Sequence, residues 1–190
     1  YTFNDPPSEE EIVRALKRQN PGKATGDSDI PAEYYKLCLD DPLLHRLFKG
    51  LIQRIWTKTE RVPKEWLEGR IKMLPKSGDL LDPGRWRSIT LLDAAGKVMS
   101  TILTNRMNNI LADEGLEEQN GFSPGRGTID GSFCVRTMLK KRKEHDVETW
   151  AYFLDLVKAF DTVPRKALLI VLGKFGMPEQ MVSMIARMLQ

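Results

Sequence analysis

Seven residues, Trp150-Ala151-Tyr152-Phe153-Leu154-Asp155-Leu156, set one carboxylate at the end of an apolar run. The run, from Thr149 to Leu156, reads as a buried strand. An ionised carboxylate there needs compensation, because uncompensated burial costs several kcal/mol. A basic partner, backbone donors at a turn or a divalent cation can each supply it. Mg²⁺ suits the position, since it binds through one or two carboxylates together with substrate phosphate oxygens. A strand-end Asp that caps the following turn suits it equally, and the local pattern leaves both open. Asp161 follows in Lys158-Ala159-Phe160-Asp161. A phosphotransfer site built on a nucleophilic Asp after a strand needs a second Asp two residues on, but Val157 stands there. Asp161 therefore reads as a cap for the helix opening at Pro164, or as the partner of a base.

The elements that must position Asp155 can be traced along the chain. Ser8-Glu9-Glu10-Glu11 is a capping box ahead of Ile12, Val13 and Leu16, and Asn20-Pro21-Gly22 ends that helix. A loop from Gly22 to Pro31 leads to a short helix, Ala32 to Leu39. Asp41-Pro42 opens another, whose stripe is Leu44, Leu47, Phe48, Leu51, Ile52 and Ile55. Arg70 to Pro75 and Arg85 to Leu92 read as two strands of a hairpin around a polar, glycine-containing loop. Asp93 caps a long helix with Val98, Met99, Ile102, Leu103, Met107, Ile110 and Leu111 along one side. Gln119 to Thr128 is a glycine-rich connector, and a helix follows from about Asp130 to Glu144. Two helices opened by Pro164 and Pro178 come after the 149–156 strand. This order predicts an α+β fold or a mixed α/β one.

Composition bounds the function. At 190 residues, 41% hydrophobic and 29% charged, the chain can build a core, which excludes wholesale disorder. The longest apolar run, Ala167 to Leu172, is far too short to cross a bilayer, so no membrane partner is expected. Two cysteines far apart, Cys38 and Cys134, and two histidines exclude a disulfide framework and a Cys- or His-rich metal site. The first residues lack an initiator Met, a basic n-region and an apolar h-region, so they read as the inside of a longer chain and not as a signal peptide. Net charge is +3, but residues 61–110 carry nine Lys and Arg against five Asp and Glu, while residues 1–60 carry nine against ten. The positive excess falls on the hairpin, which suits a phosphate-rich ligand, though a solvated face explains it as well. The run Lys140-Lys141-Arg142-Lys143 reads as a solvated helix face, a nucleic-acid backbone contact or a nuclear import signal.

The segment FLDLVKAFD closely resembles the first catalytic palm motif of reverse transcriptases, particularly those of non-LTR retrotransposons. MLPKSGDLLDPGRWRSITLLDAAGKVMSTILTNRM resembles the family's fingers hairpin and the helix after it, EQNGFSPGRGTID the next connector, and PGKATGDSDIPAE the segment before the fingers. Similarity in this order runs from about residue 8 to residue 190. It implies a right-hand polymerase fold: residues 1–60 a helical extension and the start of the fingers, 61–148 the fingers, and 149–190 the first part of the palm. It implies RNA-directed DNA polymerisation, with an RNA template, a DNA primer and a dNTP as partners and two Mg²⁺ ions as cofactor. Asp155 would be catalytic and ligate both ions, and the Leu156 carbonyl would help to hold one. Phe160 would lie under the sugar of the incoming nucleotide and clash with a 2′-hydroxyl. Lys76 and Arg87 would grip the triphosphate, Lys as a point charge and Arg as a bidentate donor. Gln119, Gly121, Phe122 and Arg126 would lie against template and primer. Trp86 would pack beneath the hairpin.

Two departures from the family pattern are Asp29, where the loop usually has Gly, and Ser88, where Pro or Gly usually follows the Arg. The third is an absence: the chain stops at Gln190, before the motifs that carry the family's second Asp pair. Residues 162–190 hold only Glu179 as an acid. The fragment alone is therefore expected to be inactive, with the edges of its palm strand exposed. Other readings are a non-catalytic nucleic-acid-binding remnant of a decayed element, a group II intron reverse transcriptase and maturase, and an α+β module without a ligand.

Overall fold

The computed structural model describes residues 3–189. Helix α1, Glu9–Lys17, starts on the expected capping box: Ser8 Oγ accepts the Glu11 N–H at 3.2 Å, and Glu11 Oε2 accepts the Ser8 N–H at 2.9 Å. Helix α2, Ala32–Lys36, ends in a tighter turn, Leu37–Leu39. Helix α3, Pro42–Trp56, is capped by Asp41, whose Oδ1 accepts the N–H groups of Leu43 and Leu44. One turn of helix, α4 at Lys64–Leu67, has no counterpart in the sequence reading. Strands β1, Gly69–Pro75, and β2, Trp86–Leu92, pair antiparallel from Gly69 opposite Leu92 to Pro75 opposite Trp86. Asp93 then caps α5, Ala94–Glu114, accepting the Ala95 N–H at 2.9 Å. Helices α6, Thr128–Glu144, α7, Arg165–Lys174, and α8, Glu179–Met188, follow, the last two each behind a proline. The fold is thus a mixed one of helices and a small antiparallel sheet.

The chain divides into two compact units, with the division inside α5. The first holds residues 3–106 and 177–189. Its core is the buried stripe of α1 (Ile12, Ala15, Leu16), of α3 (Phe48, Ile52, Ile55, Trp56) and of α5 (Ala95, Val98, Met99, Ile102, Leu103), with Trp66, Met181 and Met184. Each large apolar side chain buried here contributes roughly 1.5–3 kcal/mol. Two charged side chains, Asp93 and Arg106, are also buried within it. Arg106 is 1% exposed and holds Glu11 through two bonds, Nε to Oε1 at 2.7 Å and Nη2 to Oε2 at 2.8 Å. Its Nη1 donates to the carbonyls of Phe3 and Asp5, and its guanidinium lies 4.7 Å from the Trp56 ring centroid.

The second unit, residues 107–176, contains α6 and α7 and the segments between them. Leu172 is its one buried side chain among the described residues. The strand expected at Thr149 to Leu156 does not form: the segment has no regular structure and joins no sheet among the described residues, and Trp150, Tyr152, Phe153, Leu154 and Leu156 are all exposed. A strand exists only through its ladder, and no other strand of this unit is present among the described residues to complete one. Asp155 is accordingly exposed, not buried at a strand end, and the burial argument for its partner does not hold.

Candidate functional site

The hairpin loop is closed by local chemistry. Asp82 Oδ1 accepts the Gly84 N–H at 2.8 Å, and Trp86 Nε1 donates to the Leu80 carbonyl at 3.0 Å, so this indole holds the loop by a hydrogen bond. The ladder continues one step past β1, because the Lys76 N–H reaches the Arg85 carbonyl at 2.7 Å. Residues opposite one another share a face, and faces alternate along each strand. Lys76, opposite Arg85, and Leu74, opposite Arg87, therefore fall on one face, together with Arg70 and Lys72. Lys76 and Arg87 thus lie on one face of the hairpin, two residue pairs apart along the ladder. Lys72 and Arg85 were missed, though the alternation of charge along both strands carried the signal. The opposite face carries Ile71, Met73, Ser88 and Thr90.

The base of the hairpin is bolted to the loop before α2. A Cβ on Gly26 would lie 2.5 Å from the Asp93 nitrogen, so only glycine permits this approach of loop to strand end. Ser28 Oγ donates to Asp93 Oδ2. Arg70 Nη1 donates to Asp29 Oδ1 at 2.9 Å, and its Nη2 lies 3.7 Å from Asp27. Asp29 takes φ +55°, the left-handed conformation in which glycine is usual. The substitution of Asp for Gly thus leaves the turn in place, with Arg70 and Thr25 holding its carboxylate. The Arg70 guanidinium keeps that carboxyl below its ordinary range.

In the second unit the connector residues gather around a cavity of about 400 Å³, lined by Gln119, Gly121, Phe122 and Arg126 with Asn108 and Leu111. Gln119 Nε2 donates to the Gly121 carbonyl at 2.8 Å, and Ser123 Oγ to the Gln119 carbonyl at 2.7 Å. Arg126 donates to the Glu117 carbonyl. Phe122 takes φ +60°, an outlier for a bulky residue, and its ring meets Phe160 edge to face at 5.8 Å. The structure therefore brings the connector to the turn after Asp155. Lys158, inside that turn, has φ +50°. Leu156 and Phe160 are exposed, and Asp155 makes no hydrogen bond or ion pair among the described residues. The helix at Pro164 has no side-chain cap, so Asp161 does not cap it.

Among the described residues no three His, Cys, Asp or Glu side chains meet as a metal-binding group. Asp155 fits Mg²⁺ as a single carboxylate ligand, the number such an ion can take beside phosphate oxygens.

Residues 74–190 match the reverse transcriptase (RNA-dependent DNA polymerase) family, well over half of the chain. The chain belongs to that family, as a domain related to those of non-LTR retrotransposon Pol proteins. It is 33% identical over 118 residues to the retrovirus-related Pol polyprotein from type-1 retrotransposable element R2 of Popillia japonica, covering 62% of this chain and 16% of that protein. It is 25% identical over 181 residues to the transposon TX1 uncharacterized 149 kDa protein of Xenopus laevis, covering 94% and 14%. It is 27% identical over 157 residues to the probable RNA-directed DNA polymerase from transposon BS of Drosophila melanogaster, covering 81% and 17%. The matched stretches are about a sixth of the length of these relatives.

Proposed function

We propose that this chain is the fingers and first part of the palm of an RNA-directed DNA polymerase that adds dNTP units to a primer 3′-hydroxyl on an RNA template. The observation that carries the proposal is the family match, which runs from Leu74 on the hairpin through Asp155. Residues 61–148 act as fingers and 149–190 as the start of the palm. Lys76 and Arg87 hold the triphosphate from the cationic face of the hairpin, where a stiff ladder keeps both aimed at one ligand. Phe160, braced by Phe122, lies under the nucleotide sugar and leaves no room for a 2′-hydroxyl. Gln119, Gly121, Phe122 and Arg126 lie against template and primer. Asp155, with the Leu156 carbonyl, holds Mg²⁺. A pair of such ions stabilises the attacking 3′-oxygen and the leaving pyrophosphate. Since this chain supplies one carboxylate to the pair, transfer requires further carboxylates, and the chain alone binds nucleic acid without extending a primer.

The experiment is Asp155→Asn in a longer polymerase carrying this domain. The amide keeps the shape and loses the charge that binds the cation. Primer extension should vanish while template binding and the melting temperature stay unchanged. Retained extension would end the metal role of Asp155. A drop in stability of about 1 kcal/mol or more would mark a structural cap instead.

A further inference from the structure

The first unit contains a second cavity, of about 430 Å³, that has no part in the site above. It lies where the C-terminal end of α1, the loop before α2 and the first turns of α5 meet. Arg18, Lys23 and Lys97 line it, and no carboxylate does. Arg18 Nη1 donates at 2.9 Å to a neutral acceptor, Asn105 Oδ1. Lys23 and Lys97 make no side-chain hydrogen bond or ion pair among the described residues. The acids nearby are engaged elsewhere: Glu33 accepts the Gly22 N–H, Asp29 holds Arg70, and Asp93 caps α5. Three cations thus line one concavity with no carboxylate among its lining residues to neutralise them. Ser100 and Thr104 add hydroxyls that donate or accept, and Ile30 and Leu92 add apolar wall.

We propose that this cavity binds a phosphate ester of nucleotide size, its phosphate among Arg18, Lys23 and Lys97 and its sugar and base against the hydroxyls and the apolar wall. The charge calls for an anion. The volume, within the roughly 300–1,000 Å³ typical of small-ligand sites, exceeds what a bare ion fills. Such an ester comes either as a free mononucleotide or as one unit of a single strand. The proposal stands on this cavity's own residues and not on the transfer reaction.

The test uses the whole 190-residue chain, a short labelled single-stranded RNA read by fluorescence anisotropy, and AMP as competitor. The double variant Lys23→Gln with Lys97→Gln should weaken RNA binding about tenfold. It should also flatten the slope of log K against log salt by about 1.4, since each phosphate contact on a single strand contributes about 0.7. The charge-matched variant Lys166→Gln with Lys174→Gln on α7 should leave both nearly unchanged. AMP competition that disappears in the pocket variant assigns the site to a free nucleotide, and loss of RNA binding without AMP competition assigns it to a strand unit. Melting temperatures should match across the set; if Lys97→Gln unfolds the chain, Arg18→Gln with Lys23→Gln carries the test. Equal losses in the α7 variant, no loss in the pocket variant, or a wild-type chain that binds neither probe would overturn the proposal. Primer extension plays no part, so failure of the polymerase reading leaves the outcome legible.

Discussion

The two units differ in what holds them. In residues 3–106 with 177–189, four helices turn apolar stripes inward and close over a buried Arg106–Glu11 pair. In residues 107–176, Leu172 alone is buried among the described residues, while Phe122, Tyr152, Phe153 and Phe160 are exposed. Yet the second unit carries Asp155 and the connector. The proposed metal and template residues of this unit thus lie where local packing is weakest, among several exposed aromatic side chains.

The most direct way to break this contrast is at the buried pair. Arg106→Ala removes the cation from the Glu11 carboxylate and a donor from the Phe3 and Asp5 carbonyls. It should cost about 3–5 kcal/mol in urea unfolding. Amide exchange should accelerate in α1, α3 and α5, while α6 exchanges as before. Equal acceleration in α6 would show the two units to be one cooperative body.

A second change sharpens the contrast from the functional side. Arg87 is exposed on the hairpin, so Arg87→Ala should leave the melting temperature alone. In a longer polymerase it should remove about 1.5–3 kcal/mol of charge-assisted bonding to the triphosphate. That is about a tenfold to hundredfold loss in kcat/KM. Unaltered nucleotide kinetics would remove the hairpin from the triphosphate site.

The smallest expected effect is acid sensitivity, and it belongs to the first unit. Lys49 holds the Glu9 carboxyl below its ordinary 4.5, the Gly22 N–H does the same for Glu33, and Arg70 holds Asp29 below 3.8. A carboxyl depressed in the folded state adds stability above its unfolded value and loses it as the pH falls through the folded one. Melting temperature should therefore decline below about pH 4.5, and less steeply in Asp29→Asn. A wild-type curve flat down to pH 2 would show these contacts to be idle.

Caps and the hairpin were legible in the sequence because their signals are local. Ser8 with Glu11, Asp41 before Pro42, and Asp93 each satisfy amides within three residues of themselves. The 149–156 segment was misread because its apolar run states a need for burial but not where the covering partner comes from. Arg106 was overlooked although it falls three and four residues after Leu103 and Ile102, on the buried side of α5. A cation on an apolar stripe asks for an internal anion, and its partner was already occupied in the reading as a capping-box residue. The positive φ of Phe122 left no trace, since nothing in its side chain favours that conformation.

The cationic face of the hairpin has the arithmetic of parity. Arg70, Lys72 and Lys76 hold even positions along one side of the hairpin, and Arg85 and Arg87, opposite Lys76 and Leu74, hold odd positions along the other. Inserting or deleting two residues in the 77–84 loop keeps that parity. Slipping one strand by a single residue would send its cations to the face of Ile71 and Met73 and split the set across the sheet. The length of the loop can drift between related chains, but the strands on either side of it admit change only in pairs.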